Sequence, residues 1–121
     1  MSLKILTIDD SRSIRDMLRL TLSSAGYDVV QANDGLAGLH RLEAEHPDVV
    51  ITDINMPEMD GFAFIENARA NARFRGIPIL VLTTEVDAAK KARARAAGAT
   101  GWIVKPFDPD RLLDTVRRVA G

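Results

Sequence analysis

The sequence has 121 residues, enough to bury one hydrophobic core and too few for a second of useful size. Its 46% hydrophobic and 27% charged content predicts a soluble globular domain, and a formal net charge of −1 argues against the broad basic footprint of a nucleic-acid binder. The absence of cysteine removes disulfides and thiolate metal sites, and two lone histidines, His40 and His46, do not make a usual zinc cluster. No apolar run approaches the ~20 residues of a membrane span. The N-terminus enters a strand pattern without signal-peptide features, so a cytoplasmic location is expected.

Short apolar runs rich in Val and Ile alternate with longer segments of helical period, the pattern of an α/β domain with a parallel sheet covered on both faces. The first strand is predicted at Lys4–Ile8. A helix follows from Ser11 or Arg12, with Ile14, Met17, Leu18, Thr21, Leu22 and Ala25 on its buried stripe and Gly26 as its stop. The second strand is placed at Asp28–Ala32, with a helix from about Leu36 to Glu45 that Pro47 ends. The third strand is Val49–Thr52, and its helix runs from Gly61 to Asn71. A polar loop through Arg73, Arg75 and Gly76 leads to Pro78 and the fourth strand, Ile79–Leu82. The fourth helix covers roughly Val86–Ala97 and stops at Gly98. The fifth strand is Gly101–Val104. Asp108 as N-cap and Pro109 at the first helical position open the last helix, with Leu112, Leu113, Val116 and Val119 facing inward. No internal linker or repeat is visible, so residues 1–121 are expected to form one domain.

In an open parallel sheet, ligands gather outside the carboxyl ends of the strands. The first strand is followed by Asp9 and Asp10, the third by Asp53, the fourth by Thr83 and Thr84, and the fifth by Lys105 and Pro106. Singly, each has a plainer reading: Asp10 or Ser11 as a helix N-cap, Asp53 as a loop carboxylate, Thr83 as a strand-end cap, Lys105-Pro106 as a turn. Their conjunction at one end of the sheet points to chemistry. Carboxylates gathered in one cleft repel one another, and without a cation at least one should have a raised pKa. They suit a hard divalent ion such as magnesium, which takes oxygen ligands from one or two carboxylates plus a phosphate. Lys105 adds a positive charge and Thr83 a hydroxyl donor, completing a pocket for a phosphoryl group.

These residues resemble the receiver domain of two-component response regulators over essentially the whole chain. The matching pieces are Ile8-Asp9-Asp10-Ser11, the run from Asp48 to Gly61 with Asp53-Ile54-Asn55-Met56-Pro57 at its centre, Pro78 to Thr84, Ala97-Gly98-Ala99, and Lys105-Pro106-Phe107. The resemblance implies a doubly wound (βα)5 flavodoxin-like fold with strand order 2-1-3-4-5. It implies Asp53 as phosphoacceptor, with Asp10, Asp53 and the Asn55 backbone carbonyl as ligands of Mg2+, Mn2+ being a substitute, and Asp9 acting through water. Lys105 would pair with a phosphoryl oxygen, its bond to Pro106 would be cis, and Thr83 would receive the switch hydrogen bond. Trp102 stands where the family usually carries the switching Tyr or Phe, and Thr84 is larger than the residue often found there. Asn55 and Glu85 occupy positions that influence how fast the acyl phosphate hydrolyses, and imply a fairly short-lived signal.

The donor would be a phosphohistidine on a histidine kinase of the chemotaxis type, or a small acyl phosphate. The segment from Ile8 to Arg15 and the Asn55/Glu85 pair resemble stand-alone, CheY-like chemotaxis receivers. With no effector domain in the sequence, output is expected by binding, with the flagellar motor switch as the favoured target. A phosphate sink or phosphorelay intermediate is the alternative. A monomer is expected, with dimerisation on activation left open. Basic residues of the last two helices, among them Lys90, Lys91 and Arg93, form with Trp102 the expected partner face. A magnesium-dependent aspartyl phosphatase would carry a second Asp two residues after the nucleophile; here that residue is Asn55, whose amide cannot shuttle a proton, so conventional enzymatic turnover is not expected.

Overall fold

A computed structural model describes residues 2–120. The strands are β1 (Lys4–Ile8), β2 (Asp28–Ala32), β3 (Val49–Thr52), β4 (Ile79–Thr83) and β5 (Gly101–Val104). The helices are α1 (Arg12–Ser24), α2 (Gly35–Glu45), α3 (Gly61–Ala70), α4 (Ala88–Ala97) and α5 (Pro109–Ala120). All strand pairs are parallel, in the order β2-β1-β3-β4-β5, as the family resemblance implied.

The near-continuous apolar strands are explained by burial on both faces. Because side chains alternate across a strand, each strand feeds two cores. Ile5, Val49, Ile51, Leu80 and Leu82 pack with Leu18 and Leu22 of α1 and Leu112 and Val116 of α5. Leu6, Ile8, Val50, Ile79 and Val81 pack with Leu42 of α2, Phe62, Phe64 and Ile65 of α3, and Ala94 of α4. The Thr7 hydroxyl, fully buried, hydrogen-bonds no other group among the described residues.

The caps set the helix boundaries. Asp34, Asp60 and Asp87 each accept a backbone N–H of the first turn, which starts α2 at Gly35 and moves the start of α4 from Val86 to Ala88. Val86 lies outside the helix and is 78% exposed. Pro109 opens α5 as predicted, with the Asp108 carboxylate accepting the Asp110 N–H at 3.0 Å.

The predicted stripe of α1 needs correction at two positions. Ile14, Leu18 and Leu22 lie one above another and face the sheet, but Met17 is 48% exposed because it lies beyond the strip that the sheet and α5 cover. Ala25 is the exposed C-cap, one residue past the last helical turn, before Gly26 at φ 94° ends the segment. The segment before Pro78 is not wholly polar loop. Asn71 caps a single 3-10 turn, Ala72–Phe74, which sinks Phe74 into the core against α3.

Candidate functional site

Four of the expected residues converge at the carboxyl ends of β1, β3 and β5. Ile8 pairs with Thr52 across the β1–β3 ladder, so the residues that follow, Asp9 and Asp53, leave the sheet side by side. One carboxylate oxygen from each of Asp9, Asp10 and Asp53 lies within 4.8 Å of the others. Asp9 and Asp53 are buried, whereas Asp10 is exposed. Lys105, after β5, reaches both buried acids: its Nζ lies 2.7 Å from Asp9 Oδ2 and 3.0 Å from Asp53 Oδ2. The Lys105–Pro106 peptide bond is cis.

Backbone donors hold the other carboxylate oxygens. The Ser11 N–H donates to Asp9 Oδ1 at 2.9 Å and the Ile54 N–H to Asp53 Oδ1 at 2.7 Å. These bonds fix the orientation of both acids. Burial, the largest influence, raises the Asp9 pKa above the usual carboxylate range, although Lys105 and the Ser11 N–H pull against it. A raised carboxyl was expected, but mutual repulsion is the lesser cause: Asp53 contributes least among the influences on Asp9. Burial alone would lower the Lys105 pKa; hydrogen bonds to Asp9 and Asp53 outweigh it and hold the ammonium above its ordinary value.

Three all-oxygen acidic groups at this separation fit a hard divalent cation and suit neither a soft metal nor a tetrahedral nitrogen and sulfur site. A surface hollow of about 540 Å³ lies elsewhere, beside β2 between Arg15 of α1 and His40 and Arg41 of α2.

Thr83 is the last residue of β4, fully buried, and its hydroxyl oxygen accepts the Glu85 N–H at 3.3 Å. Thr84 is exposed. Asn55 Nδ2 donates to Glu85 Oε1 at 3.1 Å, so the two positions singled out for hydrolysis touch. Trp102 is half-buried, packed against the α2–α4 core, and lines a hollow of about 160 Å³ with Lys91, Ala94 and Arg95.

The expected basic face is less free than the sequence implied. Lys90 pairs with Glu85 at 3.0 Å, and the Arg93 guanidinium sits 4.1 Å from the centre of the Phe62 ring. Lys91 remains exposed.

Gly61 escaped sequence reasoning as a site residue. A Cβ there would collide with the Asp53 carbonyl oxygen, so the first residue of α3 packs directly under Asp53. The available signal was a glycine at a helix start just after its Asp60 cap.

Residues 5–117 match the model of the response regulator receiver domain. The chain is 40% identical over 121 residues to the chemotaxis protein CheY1 of Helicobacter pylori, with 98% of each chain covered. The structure of the chemotaxis response regulator CheY4 of Vibrio cholerae matches with a TM-score of 0.93 and 47% identity over 98% of this chain and 99% of that one. The probable transcriptional regulator ycf27 of Porphyridium aerugineum is 40% identical over 116 residues, which span 47% of that longer protein. Fold, strand order and family model agree, and the chain belongs to the response regulator receiver domain family.

Proposed function

We propose that this receiver domain is a phosphorylation-activated switch of the chemotaxis type, in which Asp53 accepts the phosphoryl group. The observation that carries this reading is the Asp53 carboxylate held between the Ile54 N–H and the Lys105 ammonium, with Asp9 and Asp10 alongside.

A carboxylate attacks an anionic phosphoryl donor poorly unless positive charge offsets the repulsion. Lys105 is placed to supply part of it. Asp10, Asp53 and the Asn55 carbonyl would hold Mg2+, with Asp9 acting through water. Bound there, the ion would supply the remaining positive charge that offsets this repulsion. A carboxylate oxygen of Asp53 attacks phosphorus, the bond from phosphorus to the donor breaks, and its electron pair leaves with the donor. A phosphohistidine of a kinase or a small acyl phosphate satisfies that balance.

The product carries close to −2 charge and three acceptor oxygens in place of one carboxylate. Lys105 is drawn to it, and Thr83 exchanges its bond with the Glu85 N–H for a phosphoryl oxygen. Trp102 and Lys91, beside the hollow at α4 and β5, are the face we assign to output. The chemotaxis proteins among its relatives support an output in chemotaxis; the form of output we assign is binding to a motor component in the cytoplasm, without turnover of a foreign substrate.

Intact protein treated with acetyl phosphate and magnesium should gain one phosphoryl group by intact mass, and the Asp53→Asn variant none. Equal labelling of wild type and variant would overturn the assignment. A pull-down with the phosphorylated form then separates a motor target from a kinase for which the domain acts as a phosphate sink.

A further inference from the structure

One residue of α4 runs against local electrostatic preference. The positive end of a helix dipole favours acids, which Asp87 supplies as the N-cap, yet the first turn carries Lys90 as its third residue. Helical side chains lean toward the N-terminus, which directs Lys90 back over the loop that precedes the helix. It meets Glu85, whose Oε1 lies 3.0 Å from Lys90 Nζ.

Glu85 is already engaged twice. The same Oε1 accepts Asn55 Nδ2 at 3.1 Å, and the Glu85 N–H donates to Thr83 Oγ1 at 3.3 Å. One residue thus joins three segments: the loop two residues beyond Asp53, the end of β4, and the first turn of α4. Glu85 carries the counter-charge that lets Lys90 sit at a helix start. In return, Lys90 adds a second restraint to the Glu85 Oε1 that Asn55 already holds. A lysine set against the helix rule, with its partner touching the acceptor loop, marks a functional compromise rather than a stabilising surface pair.

We propose that Lys90 is a positioning residue for the phosphoryl lifetime: it clamps Glu85 onto Asn55 across the loops after β3 and β4 and so restricts the approach of water to phosphorylated Asp53. This rests on Asp53 as the acceptor. In hydrolysis a water oxygen attacks phosphorus, and the bond from phosphorus to the Asp53 oxygen breaks with its electron pair returning to the carboxylate. Inorganic phosphate leaves, and the proton passes to it or to solvent. Lys90 touches none of these atoms. It acts through Glu85, holding the rim closed.

The test is the decay of phosphorylated protein after acetyl phosphate is removed, followed by intact mass, in wild type, Lys90→Ala, Lys90→Arg, Glu85→Gln and the Lys90→Ala/Glu85→Gln double variant. Lys90→Ala should speed decay about two- to fivefold, the range that a half-exposed ion pair can supply. Lys90→Arg should restore the wild-type lifetime. In the Glu85→Gln background, Lys90→Ala should have little further effect, because the clamp has lost its charge. High salt should shrink the difference. A Lys90→Ala lifetime equal to wild type, or an undiminished effect in the Glu85→Gln background, would overturn the proposal. A wild-type protein that takes no label would instead overturn Asp53 as acceptor, so the two failures are distinguishable. Unchanged thermal melting of Lys90→Ala excludes a loss of fold as the cause.

Discussion

Asp9 shows how a single residue can be costly to the fold and useful to the site. Burial raises its pKa above the ordinary 3.8, so the folded chain holds this proton more tightly than the unfolded chain. The sign follows directly: the contribution of Asp9 to stability falls as pH rises through the carboxylate range, and at neutral pH the ionised group is a burden. Asp9→Asn should therefore raise stability, and with it the melting temperature, at pH 7. The gain should disappear below pH 3.8, where the native group is protonated too. Thermal melts across pH decide this, and an equal gain at all pH values would mean that packing, not charge, was relieved. Lys105 behaves oppositely at the alkaline end. With its pKa held above 10.5, its stabilising contribution is complete below that value and is lost as pH rises beyond it.

At the scale of elements, the start of α3 fixes the backbone of the Asp53 loop. Asp60 caps the helix by accepting the Ala63 N–H at 2.8 Å, and the Gly61 N–H donates to the Ile54 carbonyl at 2.8 Å. The helix is thereby tied to the loop that carries Asp53. Gly61→Ala would favour the helix by intrinsic propensity, but its methyl group would strike the Asp53 carbonyl, a backbone atom that cannot step aside. The expected result is a net loss of about 1–3 kcal/mol, as for other overpacked sites, with phosphorylation by acetyl phosphate slowed more than melting alone explains. Denaturant unfolding and labelling kinetics on the same sample check both parts, and unchanged labelling would show that the helix start does not position the acceptor.

For the whole molecule, the three carboxylates gathered at one end of the sheet are where a divalent cation would act on stability. Binding to the folded state alone stabilises by mass action, about 1.4 kcal/mol at ten times the dissociation constant. Millimolar magnesium should therefore raise the melting temperature of the wild type by several degrees, and by much less in Asp10→Asn, which removes the exposed member of the trio. Scanning calorimetry with and without the ion measures the difference. A wild-type melting temperature indifferent to magnesium would count against the cluster as a metal site.

The alternation of Val- and Ile-rich runs with helical stretches determined the elements, and the placement of Asp9, Asp53, Thr83 and Lys105 after strands determined where the chemistry gathers. Both are local patterns whose period or order is written in neighbouring residues. Met17 looked inward by helical spacing alone, and only the width of the sheet and the seat of α5 left it exposed. Lys105 could be placed at the right end of the sheet, but its bridging of Asp9 as well as Asp53 depends on the reach of its side chain from edge strand β5 past β4 to the ends of β3 and β1, which only three dimensions give. The engagement of Lys90 by Glu85, and of Arg93 by Phe62, was likewise hidden, because a surface charge shows its partner only once the loops beside it have taken shape. Sequence determines which faces must be buried; tertiary packing decides which side chains find each other, since that depends on distances no local pattern encodes.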